Sequence, residues 1–453
     1  MESSLITKYN VAAPRYTSYP TVPYWNKQAI DAAHWESEVA RTFSESNNDQ
    51  GISLYIHLPY CESLCTYCGC NTRITVNHRV EEPYISSVLK EWKMYCELFP
   101  GKPKIREIHL GGGTPTFFSP VNLTRLIDGI LSEAELFPGF EFGFEAHPAN
   151  TKKEHLEALF NLGFRRVSFG IQDFDPVVQA VINRRQSYDQ VKQITEEARA
   201  VGYTSVNYDL IYGLPLQKMD SVTDTLEKVK QLRPDRIAFY SYAHVPWIKP
   251  GQRKFTELDL PDGEKKRELY ERGRQMLEEA GYQEIGMDHF ALKTDTLYSA
   301  LQNGTLHRNF MGYTVSATKL MIGLGVSSIS DSWSAFAQNV KVVEEYQDLI
   351  NKNLFPVTRG HFLTEEDLVL RKHILNLMCR MKTSWHQPNE QCSGLYEGVA
   401  RMKPLEDDGL VRLEPFEMNV TESGKSFLRN ICMSLDARLW KEQPATTLFS
   451  KTA

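Results

Sequence analysis

Four cysteines stand within ten residues of the segment "YIHLPYCESLCTYCGC", residues 55–70: Cys61, Cys65, Cys68 and Cys70. The chain's other four, Cys96, Cys379, Cys392 and Cys432, are scattered. That is unlike a disulfide framework and reads as a reduced, cytoplasmic chain. The steps of four and three from Cys61 to Cys68 suit three arrangements: a buried stripe on a helix face, a zinc site, or three thiolates around an iron–sulfur cube. Pro59 and Gly69 flank the run and a strand-like segment precedes it, which argues against a helix. Zinc motifs usually pair a CxxC with a distant CxxC or HxxxH, and no such partner pair is present. A [4Fe–4S] cube held by three thiolates keeps one iron open to a ligand. With Cys70 as a fourth ligand it would be closed and only pass electrons.

Other chemistry-bearing residues fall at the ends of strand-like segments: "GGGTPT", "EAHP", "QDF", "DLIYGLP" and "YAHVP". The segments ending there are "ISLYIHL", "KIREIHL", "FEFGFEA", "RRVSFGI", "TSVNYDLIY" and "DRIAFYSY", followed by "YQEIGMDH". Amphipathic stretches such as "EEPYISSVLKEWKMYCELF", "NLTRLIDGILSEAELF", "KKEHLEALFNLG" and "DSVTDTLEKVKQL" lie between them, predicting repeated βα units on a parallel sheet. A series of polar strand ends favours a β/α barrel, whose ligand site is built at the strands' C-terminal ends, over an open doubly wound sheet. The fold class expected is therefore α/β, a partial β/α barrel over 51–345. Residues 1–50 carry little periodicity and read as an N-terminal arm. Residues 346–453 read as a smaller, mostly helical domain with a small hairpin, its "DDG" supplying turn chemistry.

The bulk numbers fit this size of core. The chain has 453 residues, 42% hydrophobic and 24% charged, with a net charge of −6. An acidic balance argues against general nucleic-acid binding. No apolar run approaches the ~20 residues that span a bilayer, and the N-terminus has no signal-peptide pattern.

The CxxxCxxC motif after a strand is the hallmark of radical S-adenosylmethionine enzymes. "PRYTSYPT", "CESLCTYCGC", "IHLGGGTPT", "FGIQDF", "DLIYGLP", "GMDHFA", "HRNFMGYT" and "NICMSLD" occur in that order. Together they resemble the oxygen-independent coproporphyrinogen III oxidase family from about residue 8 to 440. The resemblance implies a [4Fe–4S] cluster on Cys61, Cys65 and Cys68, with Cys70 a family residue but not a ligand. It also implies two S-adenosylmethionine molecules and oxidative decarboxylation of two propionates of coproporphyrinogen III to vinyls, giving protoporphyrinogen IX. A 5′-deoxyadenosyl radical would take the β-hydrogen, and one electron would leave for an acceptor. The cluster's reductant would be a carrier such as flavodoxin or ferredoxin, and a monomer is expected.

Residue by residue, the resemblance assigns cofactor contacts to Tyr55 and Tyr67 beside the cluster loop and to Gly112, Gly113 and Thr114. Glu145 would meet a positive amino group. The family usually has Asp two residues later, where this chain has His147. Gln172, Arg184 and Asp209 map to the second S-adenosylmethionine, and Ala243 and Ile329 to backbone or apolar contacts with adenine. For substrate carboxylates, Arg15 and Arg308 are candidate cations. Tyr16 and Tyr19 offer rings to cover a flat tetrapyrrole. A heme-binding or heme-modifying radical protein is the alternative; such relatives usually lack the "PRYTSYP" segment.

Overall fold

The computed structural model describes residues 3–26, 28–444 and 448–451. Its centre is a 12-stranded sheet, in chain order β1 Ile52–Leu58, β2 Lys104–Gly112, β3 Glu135–Ala146, β4 Phe164–Gln172, β5 Ser205–Tyr212 and β6 Arg236–Ser241. There follow β7 Tyr282–Gly286, β8 His289–Leu292, β9 Met321–Leu324, β10 Ile329–Asp331, β11 Ala335–Asn339 and β12 Val357–Phe362. The spatial order is β12-β11-β10-β9-β1-β2-β3-β4-β5-β6-β8-β7. Strands β1 to β6 pair in parallel, and β9 joins β1 in parallel. The remaining pairs are antiparallel, so the barrel is partial, as expected.

Strand β1 reads as a near-continuous apolar run, whereas β2 mixes buried Ile105, Ile108 and Leu110 with Lys104, Arg106, Glu107 and His109, because helices cover the outer face of the parallel strands and the inner face carries the site. Six helices alternate with them: Glu81–Glu97, Pro120–Ser132, Lys153–Asn161, Tyr188–Val201, Met219–Leu232 and Gly263–Glu279. Their starts follow local chemistry. Ser119 accepts from the Asn122 amide, and Ser187 and Gln190 form a reciprocal capping box.

Three expectations are corrected. The "arm" contains a 19-residue helix, Ala32–Gln50, started by Asp31, whose carboxylate accepts from Ala33 and His34 amides. Trp35, Val39 and Phe43 bury one narrow stripe of it in the main core, worth ~1.5–3 kcal/mol per large side chain. Next, "NLTRLIDGILSEAELF" is helical only to Ser132, and β3 begins at Glu135. Finally, "YQEIGMDH" is β7 followed by a turn at Asp288, with φ 66°, into the antiparallel β8 that begins at His289.

The helix Val343–Asn351 and β12 also belong to the main body, since Tyr346 and Ile350 lie in its core. Beyond them, helix Glu365–Arg380 and a three-stranded sheet of Lys382–Ser384, Glu417–Val420 and Val411–Glu414 form a second core. The "DDG" glycine ends a helix with φ 72°; the hairpin turns at Pro415–Phe416 instead. Tyr16 and Tyr19 lie inside this second core, not on a covering surface. Tyr16 donates to Asp436 Oδ2 at 3.1 Å. With apolar surroundings available, the rings bury, and the segment straps the second core to the barrel. Among the described residues no helix is long and apolar enough to cross a membrane.

Candidate active site

Strand register assembles the site. Side chains two apart along a strand share a face, and the pairings Tyr55 with His109, Glu145 with Ser168, Ser168 with Asn207 and Gly170 with Asp209 place polar groups side by side. Most line a cavity of about 340 Å³ at the C-terminal ends of the strands, with the cysteine loop as its rim. Cys61, Cys65, Tyr67, Cys68, Gly112, Gly113, Thr114, Glu145, Gln172, Arg184 and Asp209 are all on its wall.

The loop leaves β1 and turns on itself, with the Cys68 amide donating to Cys65 O at 3.2 Å. Cys61 Sγ is 3.3 Å from Thr114 Oγ1, and Arg184 Nη1 reaches Cys65 Sγ at 3.6 Å. Burial pushes the Cys61 thiol up to about 11, whereas hydrogen bonding from Cys70 holds Cys68 down to about 6. Hydrogen bonding to Cys68 pushes Cys70 up. The donor set fits a cluster: three soft sulfurs on one loop, all facing the cavity. Among the described residues no three or more His, Cys, Asp or Glu surround one ion-sized point, whereas thiolates of a multi-iron cube are spread over separate irons.

The glycine loop closes tightly on this rim. Gly113 and Thr114 amides donate to Leu58 O at 2.8 Å and Tyr60 O at 3.0 Å. A Cβ on Gly113 would sit 2.5 Å from Pro59 O, and Gly112 has φ 114° with the His57 ring 2.7 Å from its missing Cβ. Only glycine allows this approach. The Gly112 amide also donates to Glu145 Oε2 at 3.3 Å, and His109 Nε2 lies 3.3 Å from Oε1. Although burial opposes it, these contacts hold the Glu145 carboxyl below the usual carboxylate range.

Asp209 behaves oppositely. It accepts from Ser168 Oγ and Asn207 Nδ2, both at 2.9 Å, yet burial and then Glu145 push it up to about 6. Arg184 crosses Gly170, whose carbonyl accepts from Nε at 3.1 Å and Nη2 at 2.5 Å. A Cβ on Gly170 would meet Nη2 at 2.7 Å. His147, beside this guanidinium, is pushed down to about 3 by burial and then Arg184, so it is neutral.

Not every expected residue reaches the wall. Tyr55 stands behind it, its hydroxyl 3.1 Å from His57 Nδ1. Ala243 follows β6, its carbonyl accepting from buried Gln252 Nε2 at 3.2 Å; the same Nε2 donates to Tyr67 O at 2.9 Å. Ile329 opens β10, its carbonyl 2.5 Å from where a Gly323 Cβ would stand. Arg15 donates to Ser241 O at 2.6 Å, at the end of β6. Arg308 is buried over the Tyr313 ring, and its Nε and Nη1 have no partner among the described residues. Tyr313 itself lines the cavity.

Sequence reasoning missed His109, Ser168, Asn207 and Tyr240 on the wall, and a floor made by Arg166 and Arg236. Their charges are met by Glu141 at 3.0 Å and Asp295 at 2.7 Å. A usable signal existed: each is a polar residue in step with the inward face of an otherwise apolar strand.

Residues 55–229 match the family model for the radical SAM superfamily. The chain is 38% identical over 444 residues to oxygen-independent coproporphyrinogen III oxidase of Helicobacter pylori, covering 96% of both chains. It is 36% identical over 442 residues to that of Escherichia coli, covering 96% of this chain and 95% of the other. The solved structure of the E. coli coproporphyrinogen III oxidase, described as a radical SAM enzyme, superposes with a TM-score of 0.89, at 34% identity, over 96% of this chain and 98% of that one. Related at this identity over nearly its whole length, this chain belongs to the oxygen-independent coproporphyrinogen III oxidase family.

Proposed function

We propose that this chain converts coproporphyrinogen III to protoporphyrinogen IX by oxidative decarboxylation of two propionates to vinyls, without oxygen. The observation that carries the reading is the convergence of three thiols, an ionised carboxylate and an anion-seeking arginine on one cavity, in a chain related end to end to such oxidases. When bound, the cluster and S-adenosylmethionine supply reductive carbon–sulfur cleavage and hence hydrogen abstraction.

The chain's own residues do the binding. Cys61, Cys65 and Cys68 would hold the cluster. Gly112 to Thr114 let a methionine moiety approach the backbone, and Glu145, held ionised by His109, takes its ammonium. Arg184 receives a carboxylate and Asp209, with Gln172, a hydroxyl or amino group of the second molecule. Tyr55 and Tyr67 stiffen the loop from either side. Ala243 and Ile329, just after β6 and at the start of β10, supply backbone or apolar contacts to adenine. Arg308, with two unpaired donors, and Arg15 take substrate carboxylates. A one-electron carrier such as flavodoxin or ferredoxin supplies the reductant. The chain acts as a monomer, since one copy builds the whole cavity, and it works in the cytoplasm.

The test is anaerobic reconstitution with iron and sulfide, followed by incubation with S-adenosylmethionine, reductant and coproporphyrinogen III. Mass spectrometry should show loss of two carbon dioxide molecules and four hydrogens. A reconstituted protein that cleaves S-adenosylmethionine but leaves coproporphyrinogen intact would overturn the assignment.

A further inference from the structure

The electron consumed by this reaction comes from outside the chain, so some surface must receive its carrier. Three segments distant in sequence meet beside Cys70. Lys249 Nζ donates to Cys70 O at 3.1 Å, and Asn71 Nδ2 donates to the Lys341 carbonyl at 3.1 Å. Leu64 Cδ2 lies 3.7 Å from where a Gly251 Cβ would stand. The face they form exposes Leu64, Trp247, Ile248 and Val342, all large and apolar, with Ile248 at 55% and Trp247 at 49%.

Single exposed apolar residues need no explanation, but four around one point mark an interaction surface. Trp is also among the residues that dominate interface energetics. The charge points to the kind of partner. The chain carries −6 overall, yet beside an Arg73–Glu344 pair, closed at 2.9 Å, that cancels its own charge, Lys249 and Lys341 stand here as cations. Neither has a carboxylate within ion-pair distance among the described residues. Burial, then Arg359 and Lys249, push the Lys341 amine down, as expected where cations crowd without a counter-charge.

We infer that this face docks a small acidic one-electron carrier protein, its carboxylates meeting Lys249 and Lys341 and an apolar patch of its own covering Trp247 and Ile248. One electron leaves the carrier and one enters the oxidised cluster; the face itself moves no proton. The inference rests on the reading that the adjacent cysteines hold a cluster.

The test uses reduced flavodoxin as probe, with Lys341→Glu and Trp247→Ala variants of the full chain. Lys249 is left intact because it touches the cysteine loop. Flavodoxin affinity is measured calorimetrically on both metal-free and reconstituted protein, at low and high salt. Each variant should bind about tenfold more weakly. The Lys341→Glu deficit should shrink at high salt, and the Trp247→Ala deficit should persist. S-adenosylmethionine cleavage driven by dithionite should be unchanged, while flavodoxin-driven cleavage falls. Because the binding arm is read without the cluster, failure of the cluster reading and failure of the docking face are distinguishable. Unaltered affinity in both variants would overturn the inference. So would equal loss with dithionite, or a self-association of the parent chain that these variants abolish.

Discussion

Asp209→Asn separates what the site costs the fold from what it does for ligands. The Asp209 carboxyl lies among strands β4 to β6 with Ser168 and Asn207 as donors, and its pKa is pushed up to about 6. An unfolded chain would titrate it at ~3.9, so the folded state binds the proton more tightly. Stability from this group is therefore fully present below ~pH 4 and is lost as pH rises through about 6. The gap corresponds to about 3 kcal/mol of destabilisation on the alkaline side. Asparagine keeps the shape, and the pocket can satisfy it. The Asn207 amide still donates to the retained oxygen, and the new amide can donate to Ser168 Oγ. At pH 8 the metal-free variant should thus be more stable than the parent by about 2–3 kcal/mol, read from urea midpoints at matched slope. At pH 4 the two should coincide. Binding of the second S-adenosylmethionine should weaken by about 1.5–3 kcal/mol, read as loss of one equivalent in equilibrium binding. A variant less stable than the parent at pH 8, or one that keeps the parent's stability loss between pH 4 and 6, would refute the electrostatic account. A parent that binds one equivalent would refute the second-site assignment.

Single Cys→Ala changes at 61, 65 or 68 should abolish cluster assembly, seen as loss of bound iron and sulfide and of the cluster's visible absorbance; Cys70→Ala should still assemble one. Arg308→Met should raise the KM for coproporphyrinogen about tenfold or more, the scale of one charged hydrogen bond, with S-adenosylmethionine cleavage retained; an unchanged KM would remove Arg308 from the substrate side. Deleting residues 1–22 should unfold the second core, since Tyr16 and Tyr19 are part of it; limited proteolysis should then cut beyond residue 365. Arg15→Gln is the gentler probe of the same segment, and it should lower decarboxylation while leaving proteolysis unchanged.

The parallel core was legible because β1 to β6 combine strand-length apolar runs with a polar residue on the next step. "ISLYIHL" is the strand Ile52–Leu58 residue for residue. The helix Ala32–Gln50 was hidden because only Trp35, Val39 and Phe43 mark its buried side. In β3, Pro138 and Gly139 interrupt the strand pattern, which left its first three residues, Glu135 to Phe137, to be read as helix. The hairpin of β7 and β8 turns on Asp288 without a two-residue glycine turn. At the site, cysteine and glycine motifs announced themselves by composition. His109, Ser168 and Asn207 were marked only by their step along otherwise apolar strands, and strand register set them in one row.

Arg184 shows why the row matters more than any single motif. Its guanidinium is buried, bonded to the Gly170 carbonyl and aimed at Cys65. Among the described residues no carboxylate comes within ion-pair distance. His147 beside it is neutral, and the Asp209 carboxyl is pushed up to about 6. An uncompensated buried cation is costly, and the fold offers it only a carbonyl and a thiol. Glu145, by contrast, is supplied with His109 and a backbone amide and stays ionised. The cavity thus has a negative end finished by the protein and a positive end left open to a ligand. On the proposed assignment an ammonium of one S-adenosylmethionine meets the first end and a carboxylate of the other meets the second, and the chain keeps Arg184 ready at the expense of its own stability when empty.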